Sequence, residues 1–316
     1  MARVMFGFLL VFFFAIRLLA AGHIAAEEGW QTYIDNTYKV TLRFPSEWKK
    51  DPLYFDRPYF GTERRPHSVV HSFQLLAMGD EDTSPEQACK GEAGHVLKPF
   101  GENPTIRPTK VDEQSACLIW PSTDQGTHSD AAVFVRYPEP VKISGDRYSI
   151  LEVYGDKDYI LEITGSVRFI SSTHPNPPFL LNIAAARNGK SGATWKADAP
   201  FPLLLRMKNS SEKVLHVELA GPASSYRVMA IYKDEPVRVT ENLPEVKEEL
   251  KDASPPTRSI LKTLKPSETC QDAIEIRFFA ERERPGEYSL QVEQDLPAEV
   301  GKGFVESNTL TVTVIN

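Results

Sequence analysis

Three prolines stand within four positions, Pro175, Pro177 and Pro178, inside the segment SSTHPNPPF from Ser171 to Phe179. Each removes a backbone donor, and together they deny that segment a helix or a central strand. Any fold of this chain must therefore be interrupted there. The apolar patterning differs on the two sides of the break. The sequence predicts two domains, 29–172 and 179–316, joined by a proline-rich linker at 173–178. No internal repeat of solenoid length is visible.

The first half mixes strands with helices. Tyr38, Val40, Leu42 and Phe44 alternate along one face of a strand that Pro45 ends. SVVHSFQLLAMG reads as a second strand. Ser84-Pro85-Glu86-Gln87 is a helix start, with a capping Ser, a Pro suited to the first turn and a Gln able to reach back. The stripe Cys89, Ala93, Val96, Leu97, Phe100 extends that helix. SACLIW, AAVFVRY and YSILEVYG supply further strands. Asp156 or Asp158 caps a last helix through YILEITGSVRFI, with Ile160, Ile163, Val167 and Phe169 on one side. The second half is strand after strand: FPLLLRMK, KVLHVEL, YRVMAIY, AIEIRFF, EYSLQVE and TLTVTVI, divided by turn residues such as Pro285-Gly286. Only PEVKEEL reads as helical. That spacing predicts a β-sandwich.

The chain begins with Arg3 and an unbroken apolar run from Val4 to Ile16, followed by small residues. This is the order of a signal peptide, residues 1–26, with cleavage between Gly22 and Ala26. The run is shorter than the ~20 residues of a spanning helix. Arg3 and Arg17 leave with it, so 36 basic and 43 acidic side chains become 34 against 43, a net charge of −9. An acidic chain is a poor partner for nucleic acid. The expectation is a secreted or periplasmic protein with no membrane span in its mature part.

Several motifs invite chemistry. AAARNGKSG, Ala184 to Gly192, satisfies the loose phosphate-loop pattern. Yet Ala184 stands where a Gly is usual, and Gly192, Pro200 and Pro202 leave no room for the helix whose N-terminus would hold phosphate. A hairpin turn at Asn188-Gly189 is the expected alternative. His67 and His71 have the spacing of helical zinc ligands, but in a β-branched strand they stand ~13 Å apart. Asp80-Glu81-Asp82 lacks the glycine and distal glutamate of a calcium loop and precedes a helix, as a solvated turn does. No Gly-x-Ser-x-Gly is present. The reading assigns no metal, no cofactor and no catalytic residue. In an exported chain, Cys89 and Cys117 either pair as a disulfide or remain two buried thiols, and Cys270 is left over. Asn209-Ser210-Ser211 is formally a glycosylation acceptor and equally a turn.

GWQTYIDNTYKVTLRFPSEWKKD, with its Tyr-x-Asp, alternating strand and Pro-Ser-x-Trp ending, resembles the opening of the PsbP-type fold. That fold is shared by a photosystem II extrinsic subunit and a yeast Ran-binding nuclear import factor. DYILEITGSVRFI is similar to that family's final helix. The resemblance covers about residues 29–172 and implies an α+β three-layer α/β/α sandwich with an antiparallel sheet, and binding rather than catalysis. Phe44 and Trp48 would pack beneath the sheet. In the second half Leu-Lys-Pro-Ser-Glu, AIEIRFF and Arg-Pro-Gly-Glu-Tyr-Ser-Leu-Gln-Val resemble the ending of a bacterial immunoglobulin-like domain. Its strand order is also similar to BsuPI-type proteinase inhibitors. The implied fold there is an all-β Ig-like sandwich.

The functional expectation is an exported, non-enzymatic two-domain protein that binds a protein partner in the envelope or outside the cell. Two alternatives stand beside it: a secreted proteinase inhibitor acting through the C-terminal sandwich, and a hydrolase whose triad is not visible in the sequence. The segment Asp51–Pro66 is the expected contact surface, through Tyr54, Phe55, Arg57, Tyr59, Phe60, Arg64 and Arg65, because aromatic and Arg side chains anchor interfaces.

Overall fold

A computed structural model describes residues 29–51, 57–62, 71–125, 130–143, 145–171, 176–185, 193–196, 201–219, 226–232, 235–237, 239–241, 260–278 and 285–315. Most of these are in strands, gathered into several sheets, with two helices among the described residues. Neither helix is long and apolar enough to cross a membrane.

The first half contributes β1 (Trp30–Asp35), β2 (Val40–Pro45), β3 (Lys49–Lys50), β4 (Tyr59–Gly61) and β5 (Ser72–Met78). Helix α1 (Pro85–Ala93) follows, then β6 (Thr105–Val111), β7 (Gln114–Trp120), β8 (Asp130–Ile143) and β9 (Asp146–Asp156). Helix α2 (Lys157–Ser166) and β10 (Arg168–Phe169) close it. The second half opens with β11 (Phe179–Ala185), β12 (Ala193–Lys196), β13 (Phe201–Asn209), β14 (Leu215–Leu219) and β15 (Tyr226–Tyr232). It continues with β16 (Glu235–Val237), β17 (Val239–Glu241), β18 (Ile260–Leu264) and β19 (Thr269–Phe278). The last strands are β20 (Gly286–Asp295), β21 (Gly303–Glu306) and β22 (Leu310–Ile315).

Seven strands of the first half form one antiparallel sheet in the order β3-β4-β5-β9-β8-β7-β6. Its faces follow the period of two. Val133, Val135, Leu151 and Val153 point to one side, where Phe44, Trp48 and the α2 residues Ile160 and Ile163 pack. Ala132, Phe134 and Ile150 point to the other, beneath Ala88 and Cys89 of α1. Helix α1 begins where its sequence says it should: Ser84 Oγ accepts from Gln87 N, and Gln87 Oε1 accepts from Ser84 N at 2.7 Å. It ends earlier than the apolar stripe implied. Gly94 caps it, the chain turns, and Val96 and Leu97 stand 90 % and 82 % exposed while Phe100 folds back into the core. In the same way α2 stops at Ser166, and Val167 and Phe169 bury from extended backbone instead of a helical face.

The large sheet crosses the proline-rich break. Its order is β10-β2-β1-β21-β20-β15-β16, with β22 pairing β20 and β12 pairing β22. Strand β1 therefore lies between its hairpin partner β2 and the late strand β21, parallel to the latter from Thr32↔Gly303 to Asp35↔Glu306. The approach is so close that a Cβ on Gly303, at φ 141°, would lie 1.9 Å from the Thr32 carbonyl oxygen. Only glycine fits both the conformation and the gap. Ile34 belongs to the core of the second half, and Phe304 to that of the first.

A second sheet, β11-β13-β19-β17, faces the large one across the second core, and β14 pairs β18. Strands β11 and β12 do not pair with each other. The first pairs β13 and the second pairs β22, so the two lie in different sheets; Asn188-Gly189, where a hairpin turn is expected from sequence, lies outside the described residues. Ile183 and Trp195 bury in the same core from opposite sides, which two paired neighbours could not do. Residues 186–192, with the rest of the phosphate-loop pattern, and the PEVKEEL segment lie outside the described residues, as does the leader.

Candidate functional site

The parallel pairing of β1 with β21 places unlike neighbours together. Alternation along β1 sends Ile34 into the second core and Tyr33 and Asp35 to the opposite face. In register on that face, Asp35 stands beside Glu306 of β21, Glu306 beside Glu293 of β20, and Glu293 beside Arg227 of β15. Three carboxylates and one guanidinium thus form a row across four strands, at the ~4.8 Å strand spacing. Asp35, Glu306 and Glu293 are buried, because the first half packs over this face. From β3 Lys50 reaches down to bond Glu306 Oε1, with Met229 Sδ at 3.8 Å.

The hydrogen bonds are specific. Tyr33 Oη lies 2.6 Å from Asp35 Oδ2 and 3.0 Å from Glu306 Oε2. Asp35 Oδ1 accepts from Thr37 N at 2.7 Å and Tyr38 N at 2.8 Å. Arg227 donates to Glu293 Oε1 at 2.5 Å through Nε and to Asp295 Oδ1 at 2.9 Å. Burial, with Glu306 alongside, pushes Asp35 up to about 6, against the pull of its hydrogen bonds and of Lys50. Burial and Glu306 raise Glu293 as well. For Lys50, burial favours the neutral form but is outweighed by Glu306, Glu293 and Asp35, so its pKa rises. Burial and the two carboxylates hold the Tyr33 hydroxyl well above the ordinary phenol range.

Above this row opens a cleft of about 160 Å³. Its walls come from both halves: Lys50 and Arg57, Ile143 at the end of β8, Ile231 of β15, Gln291 of β20, and Thr309. The β1–β2 turn is tied across it. Asn36 Nδ2 donates to the carbonyls of Leu181 and Glu306, Gln291 Nε2 donates to Thr37 Oγ1 at 3.0 Å, and Thr37 and Thr309 hydroxyls lie 3.1 Å apart.

Of the expected contact residues, Arg57 lines the cleft and Tyr59 is half-buried in β4. Phe60 is not a surface residue. It is fully buried with its ring 4.9 Å from Tyr33, 4.7 Å from Phe44 and 5.1 Å from Phe73, because β4 turns it into the first core. Tyr54, Phe55, Arg64 and Arg65 lie outside the described residues, as does His67.

Other motifs resolve into structure. His71 Nδ1 is 2.5 Å from Asp156 Oδ2, and Asp156 Oδ1 caps α2 through Asp158 N at 2.9 Å. Among the described residues no three His, Cys, Asp or Glu gather as metal ligands. Asp80 Oδ1 accepts from Asp82 N, Thr83 N and Thr83 Oγ1, the bonds of a turn leading into α1. Asn209 is fully buried, and its Nδ2 is spent on the carbonyls of Lys213 at 2.7 Å and Leu264 at 3.0 Å. An amide so placed offers nothing to a glycosyl transferase. Cys89 and Cys117 form a disulfide with Cα atoms 6.2 Å apart, joining α1 to β7, and Cys270 is a buried free thiol.

Sequence reasoning missed the charged row entirely. Glu293 and Glu306 occupy positions that look outward from an isolated sandwich, where acids are ordinary. Compared with models of known protein families and with curated proteins, the chain matches none.

Proposed function

We propose that the protein is an exported, non-enzymatic binding protein that takes a protein partner at the seam between its two halves. One observation carries the reading: the cleft there is walled by Arg57 from the aromatic and Arg-rich connection and by β15, β20 and the residues after β21. The groups of its charged floor bond to one another, with Lys50 on Glu306, Tyr33 on Asp35 and Arg227 on Glu293, which suits a recognition surface. The reading takes 29–172 as a PsbP-like three-layer α/β/α domain and 179–316 as an Ig-like sandwich. The placement of α1 and α2 on opposite faces of one antiparallel sheet supports the first. Two facing sheets around one core support the second.

The test is affinity capture with residues 27–316 on envelope and secreted fractions of the host, beside a Thr309→Arg variant that fills the cleft. A single near-stoichiometric partner lost in the variant is the expected result. Hydrolysis of ester, peptide or phosphate substrates by the purified chain would sink the reading.

One observation favours a second reading, a hydrolase. Asp156 fixes His71 through Nδ1 and leaves Nε2, among the described residues, without a partner and half-exposed, which is how a general base is oriented. In that case a His71→Gln variant would abolish turnover of some ester or peptide substrate at unchanged stability.

A further inference from the structure

We propose that a single proton, held among Asp35, Tyr33 and Glu306, fastens strand β1 to strand β21, so that the seam between the two halves is a proton-operated joint. The geometry requires such a proton. Tyr33 Oη lies within hydrogen-bond distance of both Asp35 Oδ2 and Glu306 Oε2, yet a hydroxyl carries one hydrogen. With both acids ionised it can donate to only one of them, and its lone pairs face the other. With one acid protonated, every oxygen in the chain has a partner.

The charges facing the site lead to the same conclusion. From β3, Lys50 is committed to Glu306 Oε1. From β15, Arg227 is shared between Glu293 of β20 and the exposed Asp295. From the β1–β2 turn, Tyr38 gives its amide to Asp35, and Lys39 acts on it at a distance. From β8, the buried Tyr137 hydroxyl has no partner and brings no charge, while Arg57 lies on the cleft wall above. Three buried carboxylates therefore meet two committed cations. Among the described residues Asp35 makes no ion pair.

Loss of the proton would leave two carboxylates directly opposite each other on adjacent strands, a destabilising arrangement that burial strengthens. The β1–β21 ladder resists with only four register pairs, Thr32 to Asp35 against Gly303 to Glu306. Beyond it Asn36 adds bonds to the Glu306 carbonyl. The sign follows from Asp35, whose folded-state value of about 6 lies above its ordinary value of 3.8. The folded seam binds a proton that the opened one releases. It is tightest below pH 4, weakens as pH rises from 4 to 6, and is weakest above that window.

Hydrogen exchange on the full mature chain tests the joint. Between pH 5 and pH 7.5, after correction for intrinsic rates, protection of amides in 30–45 and 303–306 should fall by about tenfold, within the ~100-fold ceiling for an acid at 3.8 when open and about 6 when folded. Protection in β13 and β19, which carry no acid raised in this way among the described residues, should hold, and Asp35→Asn should abolish the fall. An equal fall in β13 and β19, or a fall that persists in Asp35→Asn, would overturn the proposal. Should that variant not fold, carboxyl-carbon NMR titration of the wild-type chain decides. Asp35 titrating near 6 supports the joint, and its titration near the ordinary 3.8 overturns it.

Discussion

Glu152 sits on β9 between Leu76 and Phe134, buried and, among the described residues, with no hydrogen-bond partner. Burial, then the neighbouring Glu92, pushes it up to about 7, while Arg57 pulls the other way. A carboxylate raised in the folded state stabilises least at high pH: its contribution is full below the ordinary value of 4.5 and is lost as pH rises to about 7. Replacing it with an apolar side chain of similar size removes that loss. Glu152→Met should therefore raise stability at pH 8 by on the order of 2 kcal/mol, with the gap narrowing toward pH 4. Urea unfolding at the two pH values measures it. Gly303 is the opposite kind of residue, constrained by space. Gly303→Ala should cost at least ~3 kcal/mol, because the new methyl meets the Thr32 carbonyl and the backbone is left-handed. A thermal midpoint within a few degrees of wild type would show that β1 can shift to make room.

At the scale of elements, α1 shows how much a short segment can declare by itself. Ser84, Pro85 and Gln87 specify its start within four residues, and both bonds of the capping box form. Its end was less legible, since Val96 and Leu97 continue the apolar period that Gly94 has already broken. Strand β6 left no signal, because six of its seven residues are exposed and nothing imposes alternation. Its place is set by β7, through the tight turn in which Asp112 and Glu113 take φ of 48° and 64°. The disulfide from Cys89 to Cys117 spans 28 residues and anchors α1 onto this hairpin's sheet. By chain entropy it is worth about 3 kcal/mol, so reductant should lower the urea midpoint of the wild type and leave Cys89→Ser/Cys117→Ser unmoved.

For the molecule as a whole, the decisive contact is between strands separated by most of the chain. Because β1 pairs β21 and the two cores exchange Ile34 and Phe304, the halves should unfold together. Calorimetry of residues 27–316 should give one transition, and the 179–316 fragment should be poorly folded, with β21 an open edge and Glu293 and Glu306 stripped of Lys50. Two separate transitions, matched by two folded fragments, would refute that coupling. The inhibitor alternative is accordingly best assayed on the full chain.

Period, caps and turn residues are properties of neighbours in sequence. They determined the strand-rich second half, the mixed first half and the start of α1. The residues that build the seam had no such expression. Asp35, Lys50, Arg227, Glu293 and Glu306 each look like a solvent-facing polar position of its own segment; they become one row, its three carboxylates buried and Arg227 at its exposed end, only when the first half covers the second. Burial and charge proximity are relations between distant segments, so the tertiary structure alone decided which acids would have to share a proton.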